Sequence, residues 1–368
     1  MPEKPSHEHR AAAASHRMAL RTVLITLGLI GIAVIVLYLL RNFASALLLI
    51  FAGILFGIFL NALTNLGAKR LHLPRWLALT LLLVVIVGGG VLFIWLAGPQ
   101  VVQQMQQLAE QLPKSLSKLR DQLERHDWGR TILSNLPSLD KMNPSLATLM
   151  GSVTQFFSIT LEVLGAIVFV FFVGLYLAAG PREYLDPLLL LFSPEHRERG
   201  HEIVAALGGA LGWWLFGRAV TMSSLGILTT IALWLFGIPL ALVLGIIAGL
   251  LLFVPYLGAI AAAIPAMLVA LVQSPEKAFW VGCIYTGVHV FEGYCITPFV
   301  QRRAVALPPG LLISVQILSA SLFGIGGVVF STPLTVVAIV LVQMLYVQNV
   351  LGERVAVLGD HEPHKSPP

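Results

Sequence analysis

The sequence predicts an all-α polytopic membrane protein of about seven to eight hydrophobic spans, with broken or re-entrant helical hairpins in its C-terminal half. Three observations carry that prediction. Of 368 residues, 57% are hydrophobic and only 11% are charged, against roughly 25% charged in soluble domains. Two long stretches, Ala219–Pro275 and Ala304–Gly352, contain no Asp, Glu, Lys or Arg. Both are longer than one crossing, which takes about 20 residues. Both are also interrupted, by Phe253-Val-Pro-Tyr-Leu-Gly258 in the first and by Phe323-Gly-Ile-Gly-Gly327 and Pro333 in the second. A break exposed to lipid would leave peptide groups unpaired, so breaks at membrane depth belong inside protein or against a water-filled cavity.

The net charge is +5, and the basic residues gather at the ends of apolar runs. That pattern is a topology signal and not the footprint of a nucleic-acid binder. The two cysteines, Cys283 and Cys295, lie in one apolar segment. A helix would hold them about 18 Å apart, too far for a disulfide, so they are expected to be reduced packing residues.

Residues 1–21 are polar and are expected to form a disordered cytoplasmic tail. Residues 22–98 form a three-span unit. Thr22–Leu40 is the first span, too long for a signal-peptide core and followed at once by another apolar run. Asn42–Leu66 is the second, with Gly53 and Gly57 spaced for close helix contact or simply present as ordinary membrane-helix glycines. Lys69, Arg70 and Arg75 mark a cytoplasmic loop. Trp76–Gly98 is the third span, expected to end at Gly98-Pro99.

Residues 99–151 change character. Met105, Leu108, Leu112, Leu116, Leu119 and Leu123 recur at spacings of three and four, with Gln, Lys and Glu between them. This is an amphipathic, extracytoplasmic helical region with an expected break at Pro113. Its leucine stripe packs within the subunit or forms an oligomer contact. Residues 152–217 hold the fourth span, Val153–Ala179, and then two charged cytoplasmic patches. After these, Ile203, Leu207, Leu211 and Trp214 repeat at helical spacing. With Trp213 beside Trp214, this reads as a helix lying at the membrane interface.

Residues 218–352 form the expected transport core. Ala219–Phe236 is the fifth span, closed by Gly237-Ile-Pro239. Leu240–Leu252 and Ala259–Leu271 are each short for a crossing, and so form either a hairpin that returns or one kinked span. The hairpin puts Gln301-Arg302-Arg303 on the cytoplasmic side, as the positive-inside rule prefers. Ala278–Thr297 is the next crossing. Leu311–Leu322 and Val328–Val347 repeat the short–break–long pattern, and Leu-Phe-Gly-Ile occurs at both Leu235 and Leu322. Residues 353–368 form a mobile cytoplasmic tail.

Enzyme motifs are missing: no phosphate-binding loop, no His-Glu-x-x-His and no Gly-x-Ser-x-Gly. No catalytic residue, metal ligand or cofactor is expected. Glu292 is the strongest single residue, because a carboxylate inside a span must pair, take a proton or face water. A structural hydrogen bond is its bland alternative. His289 lies one helical turn earlier on the same face, or else it meets the interface. Pro255, Tyr256, Gly258, Gly326, Gly327, Thr332 and Pro333, with Ser331, surround the two breaks. Freed carbonyls and amides there are able to bind ions or polar solutes. Tight helix packing is the competing role for each.

On Phe236-Gly-Ile-Pro239, Phe253-Val-Pro-Tyr-Leu-Gly258, Ile264-Pro265, Glu292 with Thr297-Pro298, Phe323-Gly-Ile-Gly-Gly327 and Thr332-Pro-Leu334, the chain resembles the AI-2E family of bacterial transporters. The resemblance implies a homo-oligomeric, multi-pass inner-membrane transporter. It implies export of an autoinducer-2-like quorum signal or sodium (lithium)–proton antiport. The chain departs from the pattern at Arg302-Arg303-Ala-Val-Ala-Leu-Pro308-Pro309, where a Gly-Arg and a His-Pro pair are expected. The reading is therefore a secondary transporter whose partners are the bilayer, a small-molecule or ion substrate and further copies of itself. A non-transporting scaffold or permease regulator is the alternative, and a passive channel a third.

Overall fold

A computed structural model of the chain describes residues 42–124, 146–296, 298 and 308–353. The expected first span Thr22–Leu40, both tails and Arg302-Arg303 lie outside the described residues. The described fold is all-α, and five of its helices are long and apolar enough to cross a membrane.

Helix α1 (Ala44–Leu71) ends at His72, whose left-handed backbone (φ 53°) lets its N–H return to the Ala68 carbonyl. Lys69 and Arg70 sit in its last turn, where positive charge suits the helix dipole. Pro74 then prevents continuation. Helix α2 (Arg75–Glu124) runs for 50 residues, about 75 Å. The sequence reading ended this helix at Gly98-Pro99 and broke it again at Pro113, but the helix passes through both. A proline clashes with the Cβ of the preceding residue in helical conformation, and Gly98 has none. Of the leucine stripe, Leu108 is buried among core residues of the same chain while Met105 is exposed. The side chains of Leu112, Leu116, Leu119 and Leu123 lie outside the described residues.

Helix α3 (Leu146–Ala179) packs along α1. The contact is close because Gly53 and Gly57 of α1 face Val173, Gly174 and Leu177; a Cβ on Gly53 would meet Val173 Cγ1 at 2.6 Å. Arg75 ties the first three helices at one end, donating to Asn61 Oδ1 (2.8 Å) and to the Ala178 carbonyl (3.3 Å).

A short α4 (Pro181–Leu189) precedes α5 (Pro194–Leu235). Helix α5 corrects the sequence reading. The expected interfacial helix and fifth span are one continuous 42-residue helix. Leu211 is buried with α1 and the last helix, and Trp214 is buried with its ring against Phe253. A tryptophan pair at the start of an apolar run resembles an interface anchor, but here Trp214 is buried within the protein.

The chain turns at Gly237 (φ 64°) into α6 (Ala241–Leu251). Helices α5 and α6 cross at Gly226, Gly245 and Gly249, where a Cβ on Gly249 would lie 2.8 Å from the Met222 carbonyl oxygen. After residues 252–256 comes α7 (Leu257–Gln273). Ser274 then caps α8 (Pro275–Phe291), accepting from Lys277 N–H at 3.1 Å with Pro275 at the first helical position. A π-helical turn, Glu292–Ile296, finishes this run.

Helices α6 and α7 form a hairpin. Trp280, early in α8, lies against Phe236 at the end of α5, with ring centroids 6.1 Å apart. The chain has therefore come back to the end from which α6 left, whereas a single kinked crossing would have started α8 at the opposite end.

The last helix, α9 (Pro309–Leu341, extended by a π-helical Val342–Gln348), contains Gly324 in a non-helical conformation (φ 63°, ψ −147°). Gly327 lies directly against the Ser319 carbonyl oxygen, and its Cβ would meet Phe323 Cβ at 2.8 Å. Residues eight apart in a continuous helix are separated by about 12 Å. The chain thus reverses at Gly324, giving a second hairpin. The two Leu-Phe-Gly-Ile segments mark two reversals, each with its glycine at positive φ.

Candidate functional site

The two hairpins meet. Phe253, in the turn of the first, stacks edge-on against Phe330 in the returning limb of the second, with ring centroids 6.4 Å apart. Trp214 of α5 (5.7 Å from Phe253) and Phe51 of α1 (5.9 Å from Phe330) extend this row. Gln316, in the first limb of the second hairpin and 1% exposed, donates its Nε2 to the Pro255 carbonyl at 3.0 Å.

The turn of the first hairpin is itself unusual. Tyr256 has φ 62° and ψ −59°, and Leu257 N–H donates to the Pro255 carbonyl at 2.7 Å. This is a γ-turn with positive φ at its centre, a rare conformation that surrounding contacts must hold. The Pro255 carbonyl accepts both hydrogen bonds, so the same oxygen closes the turn and docks the second hairpin. Gly258 packs its Cα against the Leu251 carbonyl, where any Cβ would collide with backbone.

Arg218 of α5 reaches the same turn from the other side, donating Nη2 to the Leu252 carbonyl. It is the only Asp, Glu, Lys or Arg between Glu202 and Glu276. Glu292, partly buried at the start of the π-helical turn, interacts electrostatically with Arg218 and with His289. His289 is half-buried, and its ring lies 6.5 Å from that of Tyr285.

Among the described residues, five buried polar atoms in these elements have no hydrogen-bond partner: Arg218 Nε, Tyr285 Oη, His289 Nε2, Gln316 Oε1 and Thr332 Oγ1. Buried polar groups are nearly always paired. Each of the five is a group able to meet water, an ion or a polar solute. A cleft of about 790 Å³ has Arg218, Gly249, Phe253 and Phe330 among its walls, and Arg218 is its only charged residue among those described. Among the described residues, no group of His, Cys, Asp and Glu gathers as a metal site.

The sequence-derived residues fall into two sets. Glu292, His289 and Pro255 are drawn together through Arg218, the Leu252 carbonyl and Gln316. Tyr256 is 45% exposed and acts as the turn's corner. Gly326 and Gly327 make close packing contacts, with Leu48 of α1 and with the Ser319 carbonyl respectively. Thr332 and Pro333 are buried in the returning limb. Sequence reasoning missed Gln316, Tyr285 and the role of Arg218. Their signal was available: a lone amide in the apolar run Leu311–Leu322 and a lone cation in a long charge-free region.

The family whose sequence pattern matches is described as the AI-2E family transporter, over residues 24–346. YrrI of Bacillus subtilis strain 168 is 24% identical over 299 residues, covering 78% of this chain and 84% of the relative. YueF of the same strain is 24% identical over 297 residues, covering 77% and 80%. YhhT of Escherichia coli K12 is 23% identical over 300 residues, covering 79% and 82%. All three carry provisional names as transport proteins, without a substrate.

Proposed function

The chain belongs to the AI-2E transporter family, and from that premise we propose that it is a secondary transporter working through the junction of its two hairpins. Its cargo is a small polar metabolite or signal of the autoinducer-2 kind moved outward, or cations exchanged for protons. The observation that carries this reading is the pair of hairpins entering from opposite ends, with their facing limbs joined at the Pro255 carbonyl and an Arg218–Glu292 charge pair beside them. Interrupted helices whose freed backbone groups face a polar interior are the usual solute sites of secondary transporters. Glu292 supplies a group able to take a proton, and Pro255, Tyr256, Gly258, Gly326, Gly327, Thr332 and Pro333 frame the breaks.

In the orientation we propose, the end bearing Lys69, Arg70, Arg75, Arg182 and Arg199 is cytoplasmic, as the positive-inside rule favours. The first hairpin then enters from outside and the second from the cytoplasm of a bacterial inner membrane. Movement of this half against the N-terminal helices opens the junction alternately, in a homo-oligomer. The test is purified protein in proteoliposomes, screened for solute efflux and for dissipation of imposed sodium, lithium and proton gradients. Saturable solute flux or cation–proton exchange is expected; liposomes as tight as protein-free ones would favour a non-transporting scaffold.

A further inference from the structure

A second cleft, of about 1180 Å³, lies between α1, α4 and α5 and meets the aromatic row of the hairpin junction only at Phe51. We propose that it is a binding site for an anionic phospholipid, with the phosphate at its charged rim and an acyl chain along its apolar wall.

Polarity changes along the cleft. On α1 the lining runs from Phe51, Ile54 and Ile58 to Asn61, Asn65 and Lys69. On α5 it runs in the opposite chain direction, from His201 through Leu207 and Leu211 to Trp213 and Phe216. The two helices are antiparallel, so their polar ends coincide and their apolar ends coincide. Arg182 and Asp186 of α4 close the polar end. Lys69 and Arg182 outnumber Asp186, and both cations are exposed.

Phe51 and Lys69 are about 27 Å apart along α1. Of that length, about 15 Å from Phe51 to Asn61 is apolar, which matches one leaflet of the ~30 Å hydrocarbon core. The volume exceeds the ~300–1,000 Å³ of typical small-molecule pockets, and a small polar solute would leave most of this wall uncovered. A charged head above a long apolar body is the shape that matches. Basic pockets between membrane helices are suited to anionic headgroups.

Trp213, in the apolar wall, gives the readout. The protein is reconstituted in phosphatidylcholine vesicles containing small mole fractions of acyl-brominated phosphatidylglycerol or acyl-brominated phosphatidylcholine. The Trp213 signal is the difference between wild type and Trp213→Phe. It is expected to be quenched by the brominated phosphatidylglycerol at a roughly thirtyfold lower mole fraction than by the brominated phosphatidylcholine. Lys69→Gln with Arg182→Gln is expected to weaken that preference roughly thirtyfold, at about fivefold per basic residue near a membrane surface. Lys69→Arg with Arg182→Lys, which keeps the charges, retains the preference and separates loss of binding from loss of fold. Equal quenching by the two lipids would overturn the proposal, as would a preference that survives charge removal. Displacement of the lipid by millimolar glycerol 3-phosphate alone would also overturn it, in favour of a small-anion site.

Discussion

Gln316 Nε2 donates to the Pro255 carbonyl at 3.0 Å, across sixty-one positions of sequence, and so joins the turn of one hairpin to a limb of the other. The same carbonyl closes the γ-turn at Tyr256. Gln316→Met keeps the volume but removes the donor. It is expected to lower stability by about 1–3 kcal/mol, because a buried acceptor loses a partner. Thermal unfolding in detergent measures this, and solute flux should fall along with it. An unchanged melting curve and an unchanged flux would mean the hairpins do not depend on this bond.

The Glu292 charge acts on Arg218, which also donates to the Leu252 carbonyl. Arg218→Met and Glu292→Gln, made singly and together, should give non-additive losses. Residues in one interacting network couple by about 0.5–3 kcal/mol. Additive unfolding energies would separate the two side chains functionally.

The reversal of α6 and α7 predicts proximity of Phe236 and Trp280. With Cys283 and Cys295 replaced by serine, Phe236→Cys with Trp280→Cys should be bridged rapidly by a short bifunctional thiol reagent within one polypeptide, as read by mass spectrometry of the digested protein. A kinked single crossing predicts no such product.

Helices α5 and α6 approach closely through Gly245, which faces Thr230 Oγ1 and the Gly226 carbonyl. Gly245→Ala should cost about 1–3 kcal/mol by overpacking. Adding Thr230→Ala should recover only part of this, because the Gly226 carbonyl oxygen remains 2.8 Å from the new Cβ. Unfolding midpoints of the two variants check both statements.

Much of this was written in the chain. Proline and glycine signalled the breaks at Phe253–Gly258 and Gly324, and charge at Arg302-Arg303 favoured the hairpin over the kink. The spacing of Gly53 and Gly57 permitted a close helix contact or ordinary glycine usage, and α3 supplies the contact. Glu292 stood out because a carboxylate in an apolar run needs a reason. Other features were not legible because they depend on distant partners. Gln316 acquires meaning only beside Pro255, and Gly226 only against Gly245 and Gly249. Trp214 carries the same local signal whether it anchors at an interface or packs on Phe253. Continuation of α2 through Gly98-Pro99 turned on the absence of one Cβ, which a rule about proline overlooks.

The most direct test of the account is solute and proton flux in proteoliposomes containing Glu292→Gln, compared with wild type across pH 5.5 to 8.5 (about three decades of proton activity). The account predicts that the variant, though less stable, still inserts and folds but loses coupled flux or its pH dependence, since the amide retains hydrogen bonding without a titratable proton. A variant with wild-type rate and wild-type pH profile would contradict it.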